Sequence, residues 1–403
     1  MTRFAVSVLL AVAGASVGTA VEVPAGTEIQ IRLQTNLASN RSKANDPVEA
    51  ITIEPVIIDG RIIVPGGVKV IGQVKDARAA SQGDRALLDL SFTSLEAGKS
   101  RISMAARLSS VDNARESVDA NNGQILGIVP SETYSSRIDQ GIAKLQQKYA
   151  GLADVLQTAK SAIVKESDAD IVYDAGVEMT IRLTASLAVS GDLQAEVAGP
   201  KLEPVPDGDG IVALVNAQPF QTRAEKPPAP SDITNILFAA TEQQLTEALT
   251  AAGWSTATAL TSESKLETAR ALIEDRGYKE APVSVLMLDG RPPELVFQKQ
   301  NDTFAQRHHM RVWRRPVTYH GKPVWVCAAT HDTGISFSEQ NRTFIHKVDS
   351  KIDRERAKVV NDLLLTGKVK SLELVQRDGV PRYSRNATGD DIETDAAMAV
   401  LIF

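Results

Sequence analysis

Two segments of the chain carry nearly the same sequence: AGTEIQIRL at residues 25–33 and AGVEMTIRL at residues 175–183. A weaker version, VPGGVKV, occurs at residues 64–70. In each segment a glycine-containing turn precedes a strand whose alternate side chains can face a core. Because the two clear copies stand at the two ends of one stretch, we expect a domain that closes on itself. We therefore predict that residues 21–195 form a β-rich domain, either a β-barrel or sandwich-like.

A different pattern lies between the two copies. Apolar residues recur there at alternate spacings of four and three, which is typical of one long helix with a narrow apolar stripe. The stripe consists of Ile138, Ile142, Leu145, Tyr149, Leu152, Leu156, Ala159 and Ile163. We predict a long helical insertion at about 131–165. Its stripe either lies against its own β-domain or pairs with a partner or a second copy, in which case the protein self-associates.

The second half of the chain begins with a change of composition. Residues 196–230 are rich in Pro and Gly without sustained periodicity, which predicts a semi-extended linker. Helices are then predicted from a capping box at Thr241–Gln244, at about 263–276 and at about 352–365, with strands between and after them. We expect residues 231–403 to form an α+β domain with a largely antiparallel sheet. The predicted fold class of the whole chain is α+β multidomain.

The first twenty residues are typical of a secretory signal. Arg3 is followed by an apolar core, Phe4–Val17, and by small residues at Gly18–Ala20. A core of this length is too short to span about 30 Å of hydrocarbon comfortably. We predict that residues 1–20 are removed and that the protein is secreted or periplasmic; retention as a short membrane anchor is the alternative.

Composition excludes several classes of function. The chain has 43% hydrophobic and 23% charged residues, as an ordinary globular protein has. Its one cysteine excludes a disulfide framework and any multi-cysteine metal site, and the apolar run around Cys327 predicts that this residue is buried. A net charge of −6 gives no reason to expect a nucleic-acid partner.

A series of short runs in the C-terminal part occurs in a recognisable order. They are Ala252-Gly253-Trp254, Ala281-Pro282-Val283-Ser284, Gly290-Arg291-Pro292, Phe297-Gln298-Lys299, the run 307–314, Val324-Trp325-Val326 to Asp332, and His346-Lys347-Val348-Asp349. Over about 235–366 these runs resemble the LssY-type C-terminal domain. That domain often follows an integral-membrane phosphatase, and this sequence has no such segment. The resemblance therefore implies no phosphatase activity and brings no assigned chemistry.

The N-terminal half has a weaker similarity of its own. Its strand entry, Pro24-Ala25-Gly26-Thr27, is similar to the β-domains of TrbI-like conjugal-transfer proteins. The resemblance implies a role in the cell envelope, which agrees with the predicted signal.

The five histidines all lie within 39 residues, at His308, His309, His320, His331 and His346. Histidine is the side chain most often used for metal ligation and for proton transfer near neutral pH. Adjacent histidines on a strand point to opposite faces, so His308 and His309 cannot both serve one site. His320 is predicted to lie in a turn between strands 308–315 and 323–331.

Pairing these two strands about His320 groups several of these side chains. It places His309 opposite His331, Arg311 opposite Ala329, Trp313 opposite Cys327, and Arg315 opposite Trp325. Opposed residues share one face of a sheet. A register shift by one would move His331 off this face.

The same region is basic inside an acidic chain, since residues 301–360 hold eleven Lys and Arg against six Asp and Glu. A basic, partly aromatic face suits a phosphate, a lipid headgroup or a carboxylated glycan. We expect the C-terminal domain to bind such an anionic ligand or an envelope component, a membrane surface included. The predicted binding residues are Arg311, Trp313, Arg315 and Trp325, together with His309 and His331.

Catalytic alternatives use the same histidines. In one, His309, His331 and His346 bind a divalent metal together with a carboxylate. In the other, a histidine oriented by Asp332 or Asp349 acts as a general acid or base on an anionic ester. Either would make the protein a hydrolase, for example of a phospholipid or a phosphorylated glycan. A purely structural cluster is the third interpretation, and the sequence alone does not decide whether the chain is an enzyme.

Overall fold

The structure is a computed structural model that describes residues 20–81, 83–128, 169–189, 193, 201–225, 228–256, 286–299, 307–338 and 343–403. Residues 1–19 of the predicted signal and the predicted helices at 131–165 and 263–276 lie outside this part of the chain. Within it, the chain forms 27 strands and three helices.

Residues 20–189, which we call the barrel region, contain the first fourteen strands. They are β1 (Val21–Val23), β2 (Glu28–Leu33), β3 (Leu37–Ala38), β4 (Pro47–Thr52), β5 (Val56–Ile58), β6 (Arg61–Val64), β7 (Lys69–Arg78), β8 (Leu87–Ala97), β9 (Ser100–Val111), β10 (Ser117–Val118), β11 (Ile125–Leu126), β12 (Val172–Tyr173), β13 (Glu178–Leu183) and β14 (Leu187–Val189). Six of them close into an antiparallel barrel in the order β8–β7–β4–β2–β13–β9, with β9 returning to β8.

The barrel closes around an apolar interior. Along β4 and β7 every second residue is buried, including Val48, Ala50, Val70 and Val74. This two-residue period is the one that the pleat of a strand imposes. The alternation of apolar and polar residues in these strands therefore shows which side chains face the core.

The two copies of the repeated segment pair with each other. Strand β2 runs antiparallel to β13, with Ile31 opposite Met179. The amide of Gly26 donates to the carbonyl of Leu183 at 2.8 Å, and the amide of Gly176 donates to the carbonyl of Leu33, also at 2.8 Å. Both glycines have positive φ, 88° and 104°, which other residues rarely adopt. The expected relation between the first and last strands of a closed domain is confirmed, and it takes the form of a local two-fold.

Residues 201–403, which we call the C-terminal region, contain the remaining elements. The helices are α1 (Gly208–Asn216), α2 (Glu242–Ala251) and α3 (Ile352–Leu365). The strands are β15 (Gln221–Glu225), β16 (Pro228–Ile233), β17 (Ile236–Ala239), β18 (Trp254–Thr256), β19 (Leu286–Met287), β20 (Leu295–Lys299), β21 (Arg307–Tyr319), β22 (Lys322–Ser338), β23 (Thr343–Val348), β24 (Ser371–Gln376), β25 (Tyr383–Arg385), β26 (Asp391–Glu393) and β27 (Ala397–Ile402). The main sheet has the order β18–β20–β21–β22–β17–β27–β24, is antiparallel except between β17 and β27, and carries β23 on β22.

Both faces of this sheet are covered. Helices α2 and α3 pack on one face, where Leu245 and Leu363 join a core with Met310 and Cys327. On the other face, α1 and the small sheet β16–β15–β19 pack against residues such as Trp313. Cys327 is buried, as predicted. The predicted capping box at the start of α2 is confirmed, with the hydroxyl of Thr241 accepting from the amide of Gln244 at 3.1 Å.

The long hairpin of β21 and β22 crosses the middle of the sheet. Its turn consists of His320 and Gly321, both with positive φ (46° and 76°), as a two-residue type I′ turn requires. A bulge between Arg314 and Thr318 shifts the register on the way out of the turn. Beyond the bulge His308 lies opposite His331, and Arg314 lies opposite Trp325.

The predicted fold class, α+β multidomain, is wrong. Strands dominate the described residues, only three helices accompany them, and the first large sheet is a closed barrel. The prediction overweighted helical periodicity, and the long insertion on which it partly rested falls at 131–165, outside the described residues. The chain is mainly β, with short helices covering sheets.

The stretch predicted as a linker is partly folded. Within 196–230, residues 208–216 form α1, and strands β15 and β16 begin at Gln221 and Pro228. Asp207 starts the helix because its carboxylate accepts from the amide of Gly210 at 3.2 Å. Prolines in β16 suit this strand because it lies at the edge of its small sheet.

Candidate functional site

A buried network of ion pairs joins the barrel region to the C-terminal region. Arg32 and Glu178 come from the barrel, while Lys299, Lys358 and Asp362 come from the sheet and α3. Glu178 binds Arg32 at 2.9 Å, Lys299 at 2.7 Å and also Lys358. Asp362 binds Lys299 at 2.8 Å and also Arg32. Burial alone would raise the pKa of Glu178, but the positive charges of Lys299, Lys358 and Arg32 hold it well below its usual value.

The β21–β22 hairpin has a turn end at His320 and Gly321 and an open end at His308 and His331, and the open end lies beside this network. There the imidazoles of His308 and His331 are stacked, with ring centroids 4.0 Å apart and planes 12° apart. The Nδ1 atom of His308 lies 2.7 Å from Oε2 of Glu355 on α3, and its Nε2 atom lies 3.1 Å from Oδ2 of Asp112 in the barrel region. A histidine with a carboxylate beside each ring nitrogen is most stable in its protonated form, the imidazolium.

The stacked histidines have opposite pKa shifts. Burial disfavours the charge on His308, but Glu355 and Asp112 outweigh it and raise the pKa of His308 to about 10. Burial and the adjacent charge of His308 lower the pKa of His331. The pair therefore consists of one imidazolium and one neutral imidazole at neutral pH. His331 Nε2 lies 3.4 Å from Oδ1 of Asn113.

These contacts extend the network to eight charges, which we call the interface charge network. It comprises four cations (Arg32, Lys299, His308 and Lys358) and four carboxylates (Asp112, Glu178, Glu355 and Asp362). Its formal charge is zero. Breaking a pair in such a buried set costs more than the pair itself contributes, because a charge is left without its partner.

A pocket of about 640 Å³ opens above the stacked histidines, between the two regions. We call it the interface pocket. The barrel region supplies one wall, including Gln30, Asp112 and Thr180, and the C-terminal region supplies the other, including His331 and Asn361. Glu355 also lines it, and its Oε1 atom is buried without a hydrogen-bond partner among the described residues.

The predicted face of the hairpin does not form as expected, because the observed register differs by one residue. His309 lies opposite Thr330 and Trp313 opposite Val326, so His331 and His309 project to opposite faces of the sheet. The prediction centred the hairpin on a single turn residue, whereas the turn has two residues and a bulge follows it. Of the histidines, the structure brings His308 to His331 and leaves His309 on the other face.

His309 and Arg311 lie inside the molecule. Arg311 is 3% exposed and binds Asp232 at 3.0 Å. His309 Nε2 lies 3.2 Å from Nη1 of Arg311 and 3.0 Å from Oγ1 of Thr330. Asp332 binds Arg307 at 2.9 Å. These groups form a second buried polar cluster on the face away from α3.

The predicted aromatic residues are also internal. The indole of Trp313 donates to the carbonyl of Arg291 at 3.1 Å, and that of Trp325 donates to the carbonyl of Ala240 at 3.0 Å. Both rings are 1% exposed. The two indoles therefore belong to the apolar cores on the two faces of the sheet. The strand position of His346 is opposite Ile335, and its side chain lies outside the described structure.

The described side chains hold no group of three or more His, Cys, Asp or Glu that could bind a metal ion. The geometry explains this for the predicted ligands, since His309 and His331 are on opposite faces of the sheet. Both nitrogens of His308 are taken by carboxylates.

The local excess of basic residues is largely compensated by distant carboxylates. Arg311 binds Asp232, Arg315 binds Asp289 at 2.7 Å, and Arg356 binds Asp395 at 2.7 Å. All three carboxylates lie outside the window 301–360 that gave the excess. Much of the charge is therefore structural, and counting within a window could not reveal it.

One cluster of arginines stays at the surface. A hollow of about 350 Å³ beside the bulge is lined by Arg291, Arg314 and Arg315, with Thr318 and two prolines among its other walls. We call it the arginine hollow. Arg314 and Arg315 stand at the start of the bulge, and both contribute to the lining of the hollow.

Among the described residues, the three arginines of this hollow have two carboxylate partners. Arg291 binds Glu294, and Arg315 binds Asp289 and also donates to Gln218 at 3.0 Å. Arg314 is exposed and has no ion pair with any described residue; its guanidinium lies 5.9 Å from the centroid of the Trp325 ring. Within the part of the chain that the structure describes, the hollow thus keeps one uncompensated positive charge. Of the predicted site residues, only Arg315 lies here.

Sequence reasoning missed Asp112, Glu355, His308 and Arg314 as parts of these two sites. Asp112 and Glu355 are 243 positions apart in the chain and meet only because the two regions pack together. Arg314 adjoins a predicted residue, but a regular strand would have placed it on the opposite face.

Residues 216–398 match the family described as the LssY C-terminus. The resemblance predicted from the short runs is confirmed, and the match begins before and ends after the predicted limits. No curated protein matches the chain. Among the helices that the structure describes, none is both long enough and apolar enough to span a membrane.

The weaker similarity of the N-terminal half has a counterpart among solved structures. The chain is similar to ComB10 of the Com type IV secretion system of Helicobacter pylori, at 12% identity and a TM-score of 0.23. The match covers 41% of this chain and 88% of ComB10. Nothing about function rests on a likeness of this size.

Proposed function

We propose that this chain is a binding protein that recognises phosphate groups, and that the arginine hollow receives them. Arg314 carries the proposal: it is an exposed guanidinium with no carboxylate partner among the described residues, flanked by two further arginines. Guanidinium groups bind phosphate oxygens through paired, charge-assisted hydrogen bonds. This keeps the predicted anionic ligand but moves its site from the buried face of the hairpin to the turn end.

Four contacts support a site that is organised before any ligand arrives. Glu294 pairs with Arg291 and also accepts from the backbone amide of Arg314 at 3.0 Å. Gln218 and Asp289 hold the guanidinium of Arg315. Side chains that are already held lose less conformational entropy on binding.

Binding is proposed rather than hydrolysis because of where His309 and His331 lie in the structure. The predicted metal-dependent hydrolase needs both in one site, and they project to opposite faces of the sheet. The metal-free alternative needs one oriented histidine, and His309, whose Nδ1 lies 3.7 Å from Oδ2 of Asp332, is only 3% exposed. The neutral His331 is paired with His308 instead, away from the arginine hollow.

The test measures binding of the purified full chain to two probes. Pyrophosphate is titrated by calorimetry at low salt, and vesicles of phosphatidylglycerol are compared with vesicles of phosphatidylcholine by sedimentation. Binding to pyrophosphate and to the anionic vesicles would indicate recognition of the phosphate group itself. Binding to the anionic vesicles alone would assign the site to a lipid headgroup.

The variant Arg314→Ala should lower the affinity for the bound probe about tenfold or more, since charge-assisted hydrogen bonds contribute about 1.5–3 kcal/mol. The matched control is Arg385→Ala, an exposed arginine paired with Asp391 on another sheet. Equal loss in both variants, or no binding of either probe, would refute the proposal.

We also place this function in the cell envelope, because residues 1–20 are typical of a secretory signal. Fractionation of cells that express the full chain should recover the protein outside the cytoplasm, with a new N-terminus after the small residues at 18–20. Recovery in the cytoplasm with Met1 or Thr2 at the N-terminus would contradict this placement.

A further inference from the structure

We infer that the interface pocket is a second binding site and that its ligand is an uncharged oligosaccharide. This inference is independent of the phosphate site, because the two sites lie at opposite ends of the β21–β22 hairpin. Six residues separate His308 from Arg314, which amounts to about 20 Å along a strand.

The size of the pocket is that of a small-molecule site. Its volume of about 640 Å³ falls within the range of roughly 300–1,000 Å³ that such sites occupy. Two separate parts of the chain build its walls, and small-molecule sites are common between domains. A ligand there would contact the barrel region and the C-terminal region at once.

The charge of the pocket argues against an ionic ligand. The interface charge network sums to zero. Of that network, Arg32, Lys299 and Asp362 do not line the pocket, so the lining itself holds five carboxylates (Glu54, Asp112, Glu178, Asp349 and Glu355) against four cations (His308, Lys351, Arg354 and Lys358). A strongly anionic or cationic ligand would meet nearly as many like charges as opposite ones. An uncharged polar ligand meets no such repulsion.

The hydrogen-bonding groups of the lining indicate which class of uncharged ligand fits the pocket. Donors and acceptors are interspersed: Gln30 and Asn361 provide amides, Ser110 and Thr180 provide hydroxyls, and Glu355 provides a buried carboxylate oxygen without a partner among the described residues. A buried oxygen of this kind costs about 1–3 kcal/mol unless a donor reaches it. Sugar hydroxyls donate and accept at the same oxygen, so a saccharide can satisfy such a mixed lining.

The experiment applies the purified full chain to a printed array that carries neutral, acidic and amino-sugar glycans. The strongest neutral glycan is then titrated in solution. Retention on neutral glycans is the expected result. Retention only on acidic or only on amino-sugar glycans, or on none, would overturn the inference, and so would binding of a peptide library in place of glycans.

Two exposed lining residues serve as variants that should not disturb folding. Gln30→Ala and Asn361→Ala should each weaken glycan binding about three- to tenfold, the loss of one hydrogen bond. Gln243→Ala changes an exposed amide on α2 that is not part of the lining; it is the matched control and should bind normally. Glu355→Gln should also weaken binding, and its folding is checked by circular dichroism. If none of the lining variants differs from the control, the glycan does not occupy this pocket.

The two proposals fail separately. Arg314→Ala should leave glycan affinity unchanged, and Asn361→Ala should leave phosphate affinity unchanged. Loss of both activities in either variant would indicate a general structural defect and would remove that variant's support for its site.

Discussion

The two ends of the β21–β22 hairpin hold similar residue types in opposite situations. At the open end, His308 and its neighbours form ion pairs that are almost fully buried between two regions of the chain. At the turn end, Arg314 is exposed and lacks a carboxylate among the described residues. The difference lies in where the counter-charges come from. The open end receives them from the barrel and α3, whereas at the turn end Glu294 and Asp289 pair with Arg291 and Arg315 and leave Arg314 without a carboxylate among the described residues.

The charges at the open end hold the structure together, whereas the charge at the turn end is available to a ligand. A buried pair contributes by fixing geometry, and it costs free energy when it is broken. An exposed guanidinium contributes little to stability and remains available to a ligand. If this distinction is correct, variants at the open end change stability, and variants at the turn end change binding.

The largest expected effect is at Glu178, which holds three cations in the interface charge network. We expect Glu178→Ala to lower the free energy of unfolding by about 3–5 kcal/mol, because buried cations lose their shared carboxylate. Denaturation with urea, followed by circular dichroism, measures the loss. Glu28→Ala is the matched control on the same strand pair, since Glu28 binds Arg182 at an exposed position, and it should cost less than about 1 kcal/mol. Similar losses in both variants would contradict the distinction between buried and exposed ion pairs.

The next effect is a dependence of stability on pH through His308. Its pKa rises from 6.5 to about 10 in the folded chain, where it faces Glu355, Asp112, Lys358 and the ring of His331. The protonated form is therefore bound more tightly than in the unfolded chain. Its stabilisation, on the order of a few kcal/mol, is complete below about pH 6.5 and is lost as the pH rises through about 10.

The measurement is the free energy of unfolding between pH 6 and pH 10. It should fall over this range in the native chain and should be flatter in His308→Gln, which has no proton to lose there. Parallel curves for the two proteins would show that His308 is not the titrating group.

Much of the barrel could be predicted because its determinants are local. The two repeated segments carry the turn glycines, Gly26 and Gly176, and the alternation that the β2–β13 pair uses. The limits of α3 were likewise predicted, at 352–365, because a helical period and a terminal glycine are both visible in sequence. Local periodicity and turn chemistry were sufficient for these elements.

The sites could not be predicted in the same way. The hairpin register depends on whether one or two residues form the turn and on the bulge after Arg314, and a shift of one reverses every side chain. The partners of His308 come from Asp112 and Glu355, whose approach is a property of tertiary packing. The cluster of five histidines in the sequence did not show which two of them would meet.

A smaller effect is expected at the turn that orients the arginine hollow. Gly321 has φ 76° and open space where a Cβ atom would lie. The only cost of Gly321→Ala is therefore the backbone strain of an alanine at positive φ. We expect a loss of about 1–2 kcal/mol in the free energy of unfolding. Gly208→Ala is the control, because Gly208 also has open space and is not among the residues with positive φ. If the control loses as much, the turn conformation is not what the glycine provides.

The smallest expected effect tests the available charge at the turn end. Asp289 is half exposed and neutralises Arg315 at 2.7 Å, so Asp289→Asn leaves the arginine hollow with a second uncompensated positive charge. Affinity for pyrophosphate should rise about two- to threefold at low salt, the scale of an exposed ion pair, and the gain should shrink at high salt through screening. Asp391→Asn, which frees the exposed Arg385 elsewhere, should leave the affinity unchanged. An equal gain in both variants would mean that net charge attracts the probe, whereas no gain in Asp289→Asn would mean that Arg315 does not face it. Only a gain confined to Asp289→Asn would show that the charge at this end of the hairpin is available to a ligand.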